Sequence, residues 1–398
     1  MLQSCSMKVI NLWLKYFGMT MFLAMVMTTY GESQISYNEV DGRTNSANTA
    51  VPFLRIGPDA RSGAMGNAGI ALSPDANAVF WNLSKLPFAN QDMGASITYT
   101  PWLRTMTNDV FLAYLSGYKK LDDLQAVGVS IRYFDMGDIQ LTNFQGEDQG
   151  KTHPREFSID GGYSRKLSDH WSTGVALRFI HSNLASGVKQ GGTSTYKAGN
   201  AVAGDLSVYY VSHQLDASAH QHSWSFGATV TNLGTKIGYT GNKSDKYFIP
   251  TDLGAGGSYT YQFDKRNKLT GALDINKLLV PAPDTLDKDH DGTPDYLQKS
   301  VLSGVFSSFT DASGGFTGEL HELMYSMGLE YWYDDLFSIR AGYYNEYKTM
   351  GDRKYFTTGI GLKYKMMALN FSYLIPSGSE SQRNPLANTV RISIMVCK

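Results

Sequence analysis

Residues 287–295 read Asp287-Lys288-Asp289-His290-Asp291-Gly292-Thr293-Pro294-Asp295, a D-x-D-x-D-G-x-x-D run. Carboxylates at Asp287, Asp289, Asp291 and Asp295, with the Thr293 carbonyl between, could supply oxygen ligands to Ca2+. Gly292 sits where such a loop turns sharply. Position 12 is Gln298, so the bidentate carboxylate that closes a tight site is missing. The expectation is weak, extracellular-type Ca2+ binding that stiffens a loop. A solvated acidic turn would give the same letters. His290 falls between ligand positions. Two other runs hold atoms suited to catalysis. His181-Ser182 would point to opposite faces of a strand, and Ser218-Ala219-His220-Gln221-His222 falls in a turn. Neither assembles a nucleophile with its base, so no enzyme activity is expected and no cofactor is required.

The acidic run lies inside a long segment, 277–319. Just after it, Leu297, Val301, Leu302, Val305, Phe306 and Phe309 recur at helical spacing. This amphipathic stretch is the candidate partner-binding site. It could cap a pore, grip a partner or pack on the rim of its own fold.

From residue 92 onward the pattern changes to period two. Val127, Val129, Ile131 and Tyr133 alternate with Ala126, Gly128, Ser130 and Arg132. Val175, Leu177 and Phe179 alternate with Gly174, Ala176 and Arg178; Val390, Ile392, Ile394 and Val396 alternate with Arg391, Ser393 and Met395. Successive strand side chains point to opposite faces, so each strand has one greasy and one polar or small face. A sandwich gives the same alternation, but strand length and turn spacing favour a barrel. About fourteen strands are expected, several of 11 residues or more, which suits tilted membrane strands. They lie near 92–100, 108–118, 124–135, 154–166, 170–182, 203–214, 222–232, 250–263, 267–276, 320–333, 336–346, 354–364, 367–375 and 388–397. Tight turns at 119–123, 166–169, 264–266, 334–335 and 365–366 alternate with mostly longer connections at 136–153, 183–202, 233–249, 277–319 and 376–387. Bacterial barrels show this asymmetry, with short periplasmic turns and long extracellular loops. The fold class is therefore all-β: a 14-stranded antiparallel transmembrane barrel over 92–398, preceded by a plug segment.

Eight charges fall on the polar parity of these strands. They are Arg132, Arg178, Arg340 and Arg391, with Asp160, Asp205, Asp274 and Glu330. Facing lipid they would be costly; in a lumen they can pair. The expectation is a balanced, mainly structural lumen network.

Composition agrees with this class. Charged residues are 18% of the 398, with 40 Gly and 25 Tyr, as many strands and tight turns require. A net charge of −1 gives no basic footprint for nucleic acid. Two cysteines, Cys5 and Cys397, exclude a disulfide scaffold. Lys8 and Lys15 precede the apolar run 17–27, the layout of an export signal, so residues 1–34 are expected to be a cleaved signal peptide. A buried helix of a soluble protein is the competing reading.

Residues 35–91 are expected to form a hatch inside the barrel. They contain Val51-Pro52-Phe53-Leu54-Arg55-Ile56-Gly57-Pro58-Asp59-Ala60-Arg61-Ser62-Gly63-Ala64-Met65-Gly66, then Phe80-Trp81-Asn82. Small residues allow the close backbone packing that a plug demands. This segment resembles the FadL-like superfamily of outer-membrane barrels, whose hatch carries a Gly-rich run and an aromatic-Asn-Pro-Ala motif. Here Leu83-Ser84 replaces the Pro-Ala. Residues 50–135 more closely resemble the PorV family of type IX secretion barrels. The matching pieces are Pro52–Gly66, Phe80–Asn82, Thr100–Leu103, Asn108–Tyr114, Gly117–Asp123 and Ile131–Phe134. One departure is the end, Met395-Val396-Cys397-Lys398, where such barrels commonly finish on an aromatic residue.

The resemblance implies a non-catalytic barrel in the outer membrane, in contact with outer-membrane lipids and docked beside the type IX translocon barrel. It would receive the C-terminal signal domains of cargo proteins and deliver them to a PorU-like sortase at the cell surface. Arg55, Arg61, Gly63, Met65, Gly66, Phe80, Trp81 and Asn82 would be hatch residues. A FadL-like transporter of hydrophobic small molecules is the alternative, and a lipid deacylase a third reading.

Overall fold

The computed structural model describes residues 48–103, 107–142, 145–186, 189–190, 194–215, 221–240, 246–283, 286–288, 290, 293–377 and 388–398. The export-signal reading of residues 1–34 lies outside them. No helix among the described residues is long and apolar enough to cross a membrane.

Fourteen antiparallel strands close into one barrel in sequence order. They are β1 (Met93–Pro101), β2 (Val110–Lys120), β3 (Gln125–Met136), β4 (Arg155–Lys166), β5 (Trp171–Asn183), β6 (Gly199–Leu215) and β7 (Gln221–Gly234). Then follow β8 (Asp252–Gln262), β9 (Asn267–Leu278), β10 (Met324–Tyr333), β11 (Phe337–Asn345), β12 (Lys354–Tyr364), β13 (Met367–Pro376) and β14 (Val390–Cys397). Closure pairs β1 with β14, from Gly94 opposite Cys397 to Tyr99 opposite Ile392. Closure matters because an open edge in lipid would strand its backbone donors and acceptors.

The alternation becomes the two faces of the wall. Val129, Ile131, Val175, Leu177, Ile392 and Ile394 are exposed outward, whereas Ser130, Arg132, Arg178 and Arg391 are buried inward. Aromatic rings gather in two belts on the outer face. Tyr99, Phe111 and Tyr133 follow one another across β1–β3 near one rim, with centroids 5.5 and 6.0 Å apart. Trp171, Tyr210 and Phe226 do so near the other. Phe179 and Trp171 lie on the same strand near opposite belts, about 26 Å apart along it at roughly 3.3 Å per residue; a tilt of about 40° makes that about 20 Å of height, comparable with the roughly 25 Å apolar band of outer-membrane barrels.

The short turns share one end. Asp334 and Asp335 both have positive φ, with the Leu336 amide donating to the Tyr333 carbonyl at 3.0 Å. That is a two-residue hairpin turn whose twist matches the strands. The long loops share the other end, and three carry hairpins of their own: Ile139–Thr142 with Asp148–Thr152, Lys189–Gln190 with Ser194–Thr195, and Ile237–Gly238 with Lys246–Tyr247. The short-turn end faces the periplasm.

Two strand boundaries differ from expectation by more than two residues. β6 begins at Gly199 rather than 203, because Gly199–Val202 pair with Phe179–Ser182 at the long-loop end of β5. β10 begins at Met324 rather than 320. Residues Phe316–His321 form a helix instead, tethered by ion pairs from Lys277 to Glu319 at 2.8 Å and to Glu322.

The hatch fills the lumen. Pro52–Arg55 and Leu83–Phe88 are short 3-10 turns; α1 (Ala60–Ala64) and α2 (Ala78–Trp81) lie between. Met65, Ala68 and Leu72 pack with Ala272 of the wall, and Val79, Leu83 and Leu86 pack with Tyr118, Ala126 and Ala176.

Candidate functional site: a bolted plug below an apolar shelf

The plug is seated by both missing side chains and added charges. Gly66 has φ +69°, and a Cβ there would stand 2.5 Å from the Tyr343 carbonyl oxygen. Facing it, a Cβ on Gly342 would collide with Gly66 N, and one on Gly328 would come within 2.6 Å of Met65. Backbone thus meets backbone where the hatch touches β10 and β11. Gly63 leaves room for Arg391, whose Nη1 would be 2.8 Å from an added Cβ. Arg391 is buried and, among the described residues, has no ion-pair partner.

The eight lumen charges do not form a single network. Arg178 pairs with Asp160 through Nε and with Asp205 through Nη2 at 2.9 Å. A bulge aims this cluster. Asp205 alone opposes Thr231 and Asn232 of β7, and Asn232 sits at φ 58° with its amide donating to Asp205 Oδ1 at 2.7 Å. Such bulges turn side chains into functional positions. A second cluster joins plug to wall. Arg61 donates from Nε and Nη2 to Glu330 at 2.9 and 2.8 Å, while Arg340 Nε donates to the same carboxylate at 2.7 Å. Arg61 also reaches Asp75 at 3.1 Å. Asp274 takes no arginine; its Oδ2 accepts from the amides of Gly69 and Ile70 at 2.6 and 2.8 Å. Arg132 donates to the Leu54 carbonyl at 2.9 Å and stacks over the Phe80 ring at 4.6 Å. Five of the eight therefore contact the plug or lie in its pairs, and the arrangement holds the hatch still.

The remaining hatch residues each have a place. Trp81 Nε1 donates to Asp59 Oδ1 at 2.6 Å, and Asn82 Nδ2 donates to the carbonyls of Ile70 and Val208 at 3.2 and 3.1 Å. Arg55 lies 3.4 Å from Glu346, which also binds Arg353. Asp59, Lys85, Glu346 and Arg353 escaped the sequence reading. Asp59, which accepts from the Ser62 amide at 2.8 Å, was legible as the cap before Ala60. The others lie outside any motif. Lys85 Nζ donates to the Gly69 carbonyl at 2.6 Å.

Above the plug, at the long-loop end, lies a cavity of about 260 Å3 whose lining includes Phe53, Phe80, Trp81, Trp102 and Phe134.

The loop between β9 and β10 carries the amphipathic stretch. It folds as three short helices, α3 (Asp295–Gln298), α4 (Val301–Ser307) and α5 (Phe316–His321). Continuity breaks at Ser300, whose hydroxyl caps α4 by accepting from the Ser303 amide at 3.2 Å. The apolar stripe does not face inward. Gly304 and Ser308 are the buried side, and a Cβ on Gly304 would be 2.9 Å from Phe248. Val301, Val305 and Leu297 are half-buried, whereas Leu302, Phe306 and Phe309 are exposed. Phe306 is 72% exposed and Phe316, from α5, 78%. Phe316 and Leu320 are exposed apolar residues of the same loop and were readable as an i, i+4 pair.

Of the acidic run, Asp289, Asp291 and Gly292 lie outside the described residues. Asp295 Oδ1 accepts from the Lys288 amide at 3.1 Å, and its Oδ2 stands 3.9 Å from Lys288 Nζ. His290 Nδ1 lies 2.9 Å from the Asp287 carbonyl. Thr293 leads into α3. No group of three His, Cys, Asp or Glu gathers among the described residues. His181 meets Asn200 at 2.7 Å while Ser182 turns inward to Glu156 at 2.6 Å, on opposite faces of β5. Residues 216–220, with Ser218 and His220, lie outside the described residues.

A family model described as "Type IX secretion system protein PorV" matches residues 28–285. No curated protein matches the sequence. Among solved structures, the Ralstonia pickettii toluene transporter TbuX is similar at 12% identity and TM-score 0.47, covering 86% of this chain and 98% of its own. The CymD monoaromatic hydrocarbon channel is similar at 14% identity and TM-score 0.48, covering 85% and 95%. A Pseudomonas aeruginosa FadL homologue is similar at 10% identity and TM-score 0.41, covering 85% and 98%.

Proposed function

The chain belongs to the PorV family of type IX secretion system proteins, and on that premise we propose that this outer-membrane barrel receives the C-terminal signal domain of cargo from the translocon barrel and delivers it to a PorU-like sortase for attachment at the cell surface. The observation that carries the reading is the extracellular shelf. Leu302, Phe306, Phe309, Phe316 and Leu320 stand exposed on the loop between β9 and β10, at the long-loop end of the barrel. Large apolar side chains exposed together mark protein–protein or membrane contact sites. A β domain leaving the translocon, or the translocon rim itself, would supply such a contact. The seated plug gives the rigid base. No step in this role makes or breaks a covalent bond on the barrel. The chemistry is transient burial of apolar surface, which must stay weak enough for release.

The acidic run 287–295 would sit at the edge of this shelf. A weakly held Ca2+ there would stiffen the loop that presents it.

The alternative, a transporter of hydrophobic small molecules, has one observation in its favour, the aromatic-lined cavity above the plug. The experiment that separates them replaces Phe306 and Phe316 by Ser in the full chain and follows several unrelated cargo proteins. Cargo lost from the cell surface, with barrel abundance unchanged, supports delivery. Normal display, together with impaired uptake of a hydrophobic solute on deleting the gene, supports transport.

A further inference from the structure

At the periplasmic mouth, below the plug, the lumen opens into a second cavity of about 290 Å3. Its roof is plug, with Arg61 and Asp75; wall residues from β2 and from β6 to β14 complete the lining. Lys268, Arg340, Lys363 and Lys365 also line it, with Asp335 the other carboxylate. Part of this charge is spoken for. Arg61 and Arg340 share Glu330, Arg61 also meets Asp75, and Lys268 pairs with Asp335 at 2.9 Å. Lys363 and Lys365 carry the excess, since neither has an ion-pair partner among the described residues.

The wall is shaped as well as charged. Arg340 is buried, gives Nε to Glu330 and Nη1 to Asn370 at 2.9 Å, and leaves Nη2 buried with no partner. Register places Lys268 opposite Trp332, Trp332 opposite Ser338, and Ser338 opposite Gly361. Ser338 Oγ is likewise buried without a partner. Gly361 keeps the space before Arg340 open, because a Cβ there would be 2.8 Å from Arg340 Nη1. Lys363 follows on the same inward parity. The Arg340 side chain is fully shielded, so it adds positive potential to the cavity without offering it a donor.

We propose that this vestibule binds an acidic peptide segment presented from the periplasm, with Lys363 and Lys365 taking a side-chain carboxylate. Charge complementarity sets the sign of the ligand. Size argues for a chain over a free ion, since 290 Å3 is the share of roughly ten waters at about 30 Å3 each. The closed strand order separates the cavity from the bilayer, so an acyl chain has no lateral entry. This site lies at the opposite end from the cargo shelf and stands or falls independently of it.

The test uses the purified full chain in detergent and titration calorimetry with three probes: tetraglutamate and tetraglutamine peptides, each acetylated and amidated at its ends, and inorganic phosphate. The expected result is binding of the glutamate peptide at least tenfold tighter than the glutamine peptide, weakening with salt. Lys363→Gln with Lys365→Asn should cost at least another tenfold. Both lysines are exposed, so the variant keeps its fold, which circular dichroism checks. Lys119→Gln, on the outer face at the same end, should change affinity less than twofold. Equal affinity for the two peptides, indifference to the double variant, or saturation by phosphate without peptide binding would each overturn the proposal.

Discussion

Inside the barrel Arg132, Arg178, Arg340 and Arg391 are almost wholly shielded, while on the loop above it Phe306 and Phe316 stand open to water. Both regions reverse the usual placement of charge and grease, for different reasons. The lumen is reversed because the outside of the wall is lipid, so polar atoms have only the inside to go to. Much of their cost is met locally: Glu330 takes two guanidiniums, and Asp205 takes a guanidinium and an amide, though Arg391 has no ion-pair partner among the described residues. The shelf has no such local compensation. Gly304 and Ser308 hold α4 to Phe248 and the rim, and the large side chains are left over. A region complete in itself reads as structure; a region complete only with something else reads as function.

This contrast can be broken from either side. The largest effect should come from Glu330→Ala, which strands Arg61 and Arg340 in the lumen. Loss of one partner of a buried charge pair costs about 3–5 kcal/mol, read as a lower midpoint of urea unfolding in detergent. A midpoint within error of the parent would mean the lumen is wet enough to hydrate them. Next is Gly342→Ala, which drives a methyl into Gly66 N. Overpacking at such a contact costs about 1–3 kcal/mol and should raise protease access to the hatch. On the shelf, Phe306→Ser with Phe316→Ser should leave stability within about 0.5 kcal/mol, as for exposed sites generally. Cargo display should nonetheless fall, and equal losses of both would merge the two regions into one.

Smaller still is a pH effect on the loop between β3 and β4. His153 lies 2.7 Å from Asp138 and 2.9 Å from Asp135. The Asp138 hydrogen bond, then that of Asp135, raises the His153 pKa. A raised folded pKa stabilises fully below the unfolded value of about 6.5 and is lost as pH climbs through the folded value. Amides of the 139–152 hairpin should therefore exchange faster, after correction for intrinsic rate, as pH rises from 6 to 9. His153→Gln should flatten that dependence. Least of all, Ca2+ should slow protease cleavage within 277–319 and chelator should reverse it; identical cleavage in both would leave the acidic run a solvated turn.

Much of the architecture was legible because a membrane strand writes its environment on alternate residues. Val175, Leu177 and Phe179 had to share the lipid face once Arg178 had to avoid it. The turn asymmetry then set which end was which, and the row of small residues from Gly57 to Gly69 announced close packing. What remained hidden was anything that depends on distant strands meeting across the lumen. Asp274 reads as one more lumen charge, yet it serves two plug amides 204 and 205 residues away. Glu346 and Arg353 carry no motif and are joined to Arg55 only by closure. The amphipathic stretch Leu297–Phe309 shows its period in the letters but not its orientation.

By itself the sequence determined the strand count, the two faces of each strand and the presence of a packed hatch, because all three follow from local period and residue size. Only the tertiary structure decided which charges pair, which glycines touch and that the loop's apolar face turns outward. Those depend on where the closed wall places residues far apart in the chain, and a one-dimensional pattern carries no such distances.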